Sequence, residues 1–211
     1  MTAGDSPGQR RTQQQRRDST IASLVDAAID VLAEVGYARA SVQQIVDRAG
    51  LSQGALFRHF ATRLDLFAHV AQVVARRQIE QFRRELGFGE SVDSPQFARD
   101  FRTILQTVRR ITRSRTNMVW LELMFHARTD ADLRTRMAVL TGEYLTAMED
   151  LIQAIPEAQA FPPDMRRPLL EFIIGYFAGE TIGRQVLPDL AGDERQLDLL
   201  AAIAVVLSAQ Q

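Results

Sequence analysis

The chain has 211 residues, of which 46% are apolar and 24% are charged, and its formal net charge is −1. These proportions are typical of a globular protein and exclude a fully disordered, collagen-like or disulfide-stapled chain. Cysteine does not occur, which excludes Cys-liganded zinc, thiol catalysis and disulfides. The first twenty residues contain no apolar run of signal-peptide length, and no apolar run near either end reaches the roughly 20 residues that span a bilayer, so we expect a soluble cytoplasmic protein.

The first 17 residues are polar and carry four arginines against one aspartate. They show no apolar periodicity and cannot bury enough surface to offset the entropy lost on ordering. We therefore predict a flexible basic arm over residues 1–17, followed by a first folded domain over residues 18–67.

Three helices are predicted in this first domain. Apolar residues over 21–35 recur at the spacing of an amphipathic helix, and Gly36 ends that helix. A second, short helix starts after Ser41, because Ser41 and Gln44 form an S-x-x-Q capping box, and it ends at Gly50.

Ser52 is a good N-cap for the third helix, predicted over about residues 53–60. A long fourth helix from about residue 63 to residue 86 joins this domain to the rest of the chain, residues 68–211. Further helices are predicted over about residues 95–113, 116–128, 133–155, 166–186 and 195–209, with a loop over 156–164. No sustained two-residue alternation occurs, so the predicted class is all-α: an N-terminal three-helix domain, a long connecting helix and a C-terminal helical bundle.

The second and third helices are separated by Ala49-Gly50-Leu51-Ser52, a spacing typical of a helix-turn-helix. The glycine permits the tight turn, and the later helix would present its N-terminal residues to a major groove of DNA. Helical pairs of this spacing also occur in enzymes, so the spacing alone leaves DNA binding and a plain helical core as alternatives.

Around these helices the sequence reads Ala28-x-x-x-Leu32-x-x-x-Gly36-Tyr37, Ser41-Val42-x-x-Ile45, then AGLSQGALFRHF over residues 49–60, then Arg63-x-x-Leu66-Phe67. This stretch, about residues 21–67, resembles the DNA-binding domain of the TetR family of transcriptional regulators. The resemblance implies a helix-turn-helix domain followed by a variable helical domain for ligand binding and dimerisation. The remaining residues match that second domain only through their helical character and one short, weakly similar stretch of sequence.

Three positions depart from the family pattern. Phe57 stands where tyrosine is frequent, so no hydroxyl is available there to reach a phosphate. Arg63 stands where lysine is usual, keeps the positive charge and offers a two-pronged fork to phosphate. Leu64 stands where a polar residue is more usual.

Candidate DNA contacts follow from the resemblance and from helix-turn-helix geometry. Gln53 is the candidate for reading adenine through its amide, and Ala55 for touching a thymine methyl group. The start of the second helix offers free N–H groups to the phosphate backbone. The predicted DNA-binding set is Arg39, Ser41, Val42, Gln43, Ser52, Gln53, Gly54, Ala55, Phe57, Arg58, His59 and Arg63. The alternative for Ser41 and Ser52 is helix capping alone, for Phe57 a place in the core, and for His59 an ordinary surface or packing role.

Aromatic and methionine side chains are concentrated in the second half of the chain. Apolar stripes at helical spacing are usually core, but the resemblance implies that some of these side chains line a cavity for a small molecule. The predicted ligand-binding set is Phe101, Trp120, Met124, Phe125, Met148, Phe172 and Tyr176.

Three glycines at four-residue spacing lie within one predicted helix: Gly175, Gly179 and Gly183. Each helical glycine costs roughly 0.5–1 kcal/mol relative to alanine, so a stripe of them indicates the close approach of another helix. The resemblance implies that the last two long helices pair with their copies in a homodimer, which makes these glycines the predicted dimer interface.

Taken together, we expect a homodimeric repressor that binds an inverted-repeat operator in double-stranded DNA and is released by a small-molecule effector of unknown identity. The alternative is a ligand-independent DNA-binding or architectural factor. The sequence shows no metal-ligand cluster, no glycine-rich phosphate loop and no Ser/His/Asp arrangement. We therefore expect no enzymatic activity, no cofactor, no metal and no membrane partner.

Overall fold

The computed structural model describes residues 12–86, 101–187 and 194–208. All elements of regular secondary structure in these ranges are helices, which confirms the predicted all-α class. Their bounds are α1 Gln13–Val35, α2 Val42–Ala49, α3 Gln53–Phe57, α4 Arg63–Glu85, α5 Phe101–Thr112, α6 Arg115–Ala127, α7 Ala131–Gln153, a short 3-10 helix Pro156–Ala160, α8 Pro163–Val186 and α9 Glu194–Ser208. Within the ranges described, no helix combines the length and apolarity needed to cross a membrane.

The chain divides into two compact units, Met1–Val70 and Ala71–Gln211. The division lies inside α4, the same helix in which the sequence predicted the border between residues 67 and 68. The core of the first unit is built from one residue or more of each of its helices. Leu24, Leu32, Ile45, Leu56 and Phe67 are at most 2% exposed, so the predicted apolar faces of α1 to α4 point inward.

The first helix begins earlier than its apolar pattern indicated. The Thr12 hydroxyl oxygen accepts a hydrogen bond from the Gln15 backbone N–H at 3.2 Å, and the Gln15 side-chain oxygen accepts one from the Thr12 N–H at 2.8 Å. This reciprocal capping box satisfies two N–H groups that a helix start otherwise leaves unpaired. The prediction of a flexible arm is therefore wrong for residues 13–17, which form the first turns of α1. Residues 1–11 lie outside the described part.

The third helix is shorter than predicted. It ends at Phe57, and the following residues form tight turns in which the N–H groups of His59 and Phe60 both donate to the Leu56 carbonyl, at 2.9 and 3.0 Å. The predicted start of the fifth helix at residue 95 lies outside the described residues. Part of the predicted loop over 156–164 is the 3-10 helix.

A polar link is buried in the second unit. The Gln78 amide of α4 donates to the Asn117 side-chain oxygen of α6 at 2.8 Å, and the Asn117 amide donates to the Thr112 carbonyl at 2.6 Å. Gln78 is 2% exposed and Asn117 is 7% exposed. Because an unpaired buried amide is costly, these bonds fix the register of α4 against α6.

Arginines of α5 hold the start of α9. The Glu194 carboxylate accepts hydrogen bonds from Arg109 at 2.7 Å and from Arg102 at 2.6 Å, and Arg102 also reaches Asp198 at 2.6 Å. The hydrogen bonds from Arg109 and then Arg102 hold the pKa of the Glu194 carboxyl below its ordinary value. The group therefore stabilises the fold while it is ionised.

We expect Glu194→Gln to lower the melting temperature at pH 7. The pKa of Glu194 is lower in the folded than in the unfolded chain, so its contribution is complete above the unfolded value of about 4.3 and is lost as pH falls through the folded value. The difference between variant and wild type should therefore shrink in acid. Thermal unfolding at pH 7, pH 5 and below pH 4 measures it. Glu143→Gln, at an exposed carboxyl of α7, is the control; a Glu194→Gln deficit that stays constant with pH would contradict the role of the charge.

Candidate nucleic-acid interface

The turn between α2 and α3 is built by local capping. The Ser41 hydroxyl accepts from the Gln44 N–H at 3.2 Å and the Gln44 side-chain oxygen accepts from the Ser41 N–H at 2.9 Å, which confirms the predicted capping box. Gly50 closes α2 with φ 65° and ψ 33°, a left-handed conformation in which a side chain is strained. The Ser52 hydroxyl then caps α3 by accepting from the Ala55 N–H at 3.2 Å.

One side of this helix pair is buried and the other is exposed. Ile45, Val46 and Leu56 are at most 1% exposed, whereas Gln53 and Gly54 at the start of α3 are exposed. A side chain added at Gly54 would meet only the Ser52 hydroxyl, at 3.8 Å. Nothing in the described chain therefore requires a glycine at this position, which leaves the α3 surface free for close approach from outside.

Two glutamines bridge the exposed ends of α2 and α3. The Gln53 amide donates to the Gln43 side-chain oxygen at 2.6 Å, and the Gln43 amide donates to the Asp47 carboxylate at 2.6 Å. This chain of hydrogen bonds holds two amide groups, each with donor and acceptor capacity, next to each other on the surface. Such a pair is chemically suited to the base edges of a major groove.

A basic cleft lies beside α3. We use "basic cleft" for the open surface between the first turns of α1 and the end of α3 that is lined by Arg16, Arg17, Arg58 and His59, together with Gln13, Gln14 and Thr20. Sequence reasoning placed Arg16 and Arg17 in a flexible arm and so missed this cluster. The Thr12-x-x-Gln15 capping box was the pattern that would have located them on a helix.

Arg63 is engaged inside the first unit. Its guanidinium lies 4.6 Å from the ring centroid of Tyr37 and 4.7 Å from that of Phe67, and it donates a hydrogen bond to the Tyr37 carbonyl. The side chain is half-buried. The resemblance implies a phosphate contact for Arg63, and that contact stays a prediction; within the chain the guanidinium packs against the two rings.

The structure places the whole predicted DNA-binding set in the first unit, which runs from residue 1 to residue 70. Phe57 is 46% exposed although it is aromatic. The exposed members are Arg39, Ser41, Gln43, Ser52, Gln53, Gly54, Phe57 and Arg58, and the half-buried members are Val42, Ala55, His59 and Arg63.

The second unit contains an apolar cavity of about 60 Å³ bounded by residues of α4, α5, α7, α8 and the 3-10 helix. Of the predicted ligand-binding set, the structure brings Phe101 and Met148 to this cavity. The other five lie elsewhere. Trp120 packs against Tyr144 with ring centroids 5.5 Å apart, and Tyr176 donates to the Gln196 side chain at 3.1 Å. Met124, Phe125 and Phe172 are 38%, 56% and 57% exposed, because their helices turn these positions outward.

The three predicted interface glycines lie on an uncovered stripe of α8. A Cβ atom built at Gly175, Gly179 or Gly183 would meet no heavy atom of the described chain within 4 Å. Phe172 and Val186 extend the same stripe and are 57% and 75% exposed. A run of small and exposed apolar residues on one helix is suited to contact with another chain.

The capped helix pair, with the exposed Gln53 at the start of α3, defines a helix-turn-helix DNA-binding domain. The family profile described as bacterial regulatory proteins, tetR family, matches residues 24–70. An uncharacterized HTH-type transcriptional regulator of Mycobacterium tuberculosis is 40% identical over 193 residues, which are 92% of this chain and 96% of that protein. The chain therefore belongs to the TetR family of transcriptional regulators and is a DNA-binding protein.

Solved structures share the helical architecture over most of the chain. A transcriptional regulator from Rhodococcus sp. superposes with a TM-score of 0.68 at 20% identity, over 88% of this chain and 95% of that one. The multidrug binding protein EbrR, solved in complex with imidazole, superposes with a TM-score of 0.60 at 20% identity, over 87% and 93%. At this identity the likeness shows a common fold.

Proposed function

We propose that the chain is a homodimeric repressor that acts in the cytoplasm, binds an inverted-repeat operator through α2 and α3, and is released by a small molecule bound in its second unit. The observation that carries the proposal is the exposed start of α3. There Gln53 is hydrogen-bonded to Gln43, next to Gly54, a position where the chain itself does not require a glycine. Both features leave room and hydrogen-bonding capacity for a base edge.

Charge around α3 supports the same function. The basic cleft places Arg16, Arg17 and Arg58 beside α3. Cations at such a position neutralise phosphates, and the release of counterions makes the resulting affinity fall steeply with salt. Base readout by α3 and phosphate contact by the basic cleft then divide specificity and affinity between them.

Dimerisation would follow from the uncovered stripe of α8. A two-fold dimer presents two copies of α3, and half-sites about 34–36 Å apart, one turn of DNA, require that separation to be held closely. A ligand that binds a different arrangement of the second unit would shift the population away from the DNA-competent one. We propose that α4 carries this shift, because it contributes residues to both units.

We expect Gln53→Ala to relax base preference without abolishing DNA binding. An amide that contacts one base pair in two places contributes about 1–3 kcal/mol of discrimination, so preference at one position of each half-site should fall roughly tenfold or more. Selection of bound duplexes from a random pool, at low and high salt, measures this preference. The wild type should recover an inverted repeat.

The matched control is Gln72→Ala, the same change at an exposed glutamine of α4. It should recover the wild-type motif. An identical motif from Gln53→Ala and wild type would remove Gln53 from base readout. Recovery of only unselected DNA by the wild type, lost steeply with salt, would replace the repressor by a nonspecific or architectural DNA-binding protein.

A further inference from the structure

Arg166 is the only charged residue among the described residues that line the apolar cavity. The walls are otherwise hydrocarbon, with Phe82 from α4, Phe101 from α5, Met148 from α7 and Phe161 and Ile173 on the remaining sides. A buried or half-buried charge is costly unless it is paired, so a cation at the edge of such a cavity requires an explanation.

The described chain satisfies only part of the hydrogen-bonding capacity of the Arg166 side chain. Its Nε donates to the Phe161 carbonyl at 3.1 Å, which orients the guanidinium at the start of α8. Within the described part of the chain, Arg166 forms no ion pair with a carboxylate. Glu149, which lines the adjoining surface depression together with Arg166, pairs with Arg167 at 3.6 Å, and Arg167 also pairs with Glu171 at 3.1 Å.

The geometry points to an organic monoanion with an apolar body, such as a medium-chain carboxylate, as the effector class. Its head group would pair with Arg166 and its apolar body would enter the cavity. A guanidinium binds a carboxylate through two parallel hydrogen bonds. The neighbouring carboxylates Glu149 and Glu171 pair with Arg167 and not with Arg166. This inference deepens the proposed function and rests on it for the consequence of binding, but not for binding itself.

Because the cavity is small, the ligand must bind one arrangement of the second unit more tightly than another. A cavity of about 60 Å³ holds only a few water molecules, which is less than the apolar body of a medium-chain carboxylate occupies. Such a ligand must displace Phe82 of α4, the adjoining Leu86 or the facing helices to enter. It therefore binds an expanded arrangement more tightly than the closed one, which is the condition for shifting the population.

The test is calorimetric titration of the full chain with dodecanoate, 1-dodecanol and dodecyltrimethylammonium below their aggregation limits, in the absence of DNA. We expect one dodecanoate per chain, bound roughly tenfold or more tighter than dodecanol, because hydrogen bonds to charged groups contribute about 1.5–3 kcal/mol. The ammonium compound should bind more weakly than dodecanol.

Arg166→Gln should remove the preference for dodecanoate over dodecanol. Arg167→Gln, which changes the neighbouring arginine that already pairs with Glu149 and Glu171, should leave the preference unchanged. Ala158→Phe, which fills the cavity, should weaken binding of both ligands. Melting curves identify any variant that fails to fold, and in that case the ligand preference of the wild type still decides.

Equal affinity for dodecanoate and dodecanol, tighter binding of the ammonium compound, or no binding of dodecanoate would each overturn the inference. Retention of operator DNA with and without dodecanoate is measured separately. Arg166-dependent binding without release would leave the ligand class standing and refute the release mechanism. Release by some other compound with no dodecanoate binding would refute only the ligand class.

Discussion

Gly179→Leu is expected to convert the proposed dimer into a monomer while leaving the fold of each chain intact. In the described part of the single chain, a Cβ atom built at this position meets no heavy atom within 4 Å, so the chain itself leaves open space where a leucine side chain begins. In a dimer that packs α8 against its copy, the added side chains collide. Overpacking costs about 1–3 kcal/mol per site, and the two-fold symmetry doubles it, so dimerisation should weaken by at least roughly thirtyfold.

Light scattering over a concentration series measures the mass, and circular dichroism checks the helical content. Gly142→Leu is the matched control, because Gly142 is an exposed glycine of α7 at which an added Cβ atom also meets nothing within 4 Å in the described chain. It should remain dimeric. An unchanged mass for Gly179→Leu would place the interface elsewhere on the chain. Loss of the dimer in both variants would show that the effect is not specific to the α8 stripe.

Arg63→Ala is expected to destabilise the first unit by about 2–3 kcal/mol, since it removes two cation–π contacts and a charged hydrogen bond. The guanidinium lies 4.6 Å from the Tyr37 ring and 4.7 Å from the Phe67 ring, so its loss uncovers one side of this pair of contacting rings. Hydrogen exchange of the α1 to α3 amides measures the effect in the relevant unit, where a single global unfolding transition is not assured.

The salt dependence of DNA binding separates this packing role from the phosphate contact that the family resemblance implied. Removing a phosphate contact reduces the slope of log affinity against log salt by about 1, whereas removing a packing residue leaves the slope unchanged. Arg39→Ala is the control for stability, because Arg39 is exposed and its Nε donates to the Val35 carbonyl at 3.0 Å. Wild-type stability of Arg63→Ala together with a reduced slope would restore the phosphate role.

Local sequence patterns were sufficient to predict those features that depend only on residues near each other in the chain. The Ser41–Gln44 capping box and Gly50 determine the start and end of α2, because each satisfies or terminates backbone hydrogen bonds within a few residues. The same reasoning was available for Thr12 and Gln15. The low apolar content of that segment led instead to the prediction of a flexible arm, although helix capping does not depend on apolar content.

Helical spacing was much less informative about which side chains line the cavity of the second unit. The seven predicted side chains share size and polarisability, and only Phe101 and Met148 line the cavity. Which face of a helix points inward at a given turn depends on the helices packed against it. Phe125 therefore lies outward at 56% exposure, while Ile173 of α8, not singled out by its type, lines the cavity.

The sequence by itself determined the all-helical class, the capped helix-turn-helix and the membership of the TetR family, because all three reside in short-range spacing. Only the tertiary structure decided that Arg63 packs against Tyr37 and Phe67, that Arg16 and Arg17 line one cleft with Arg58, and that Arg166 lines an apolar cavity. These are contacts between residues distant in the chain. Their existence depends on the relative placement of whole helices, which no local pattern specifies.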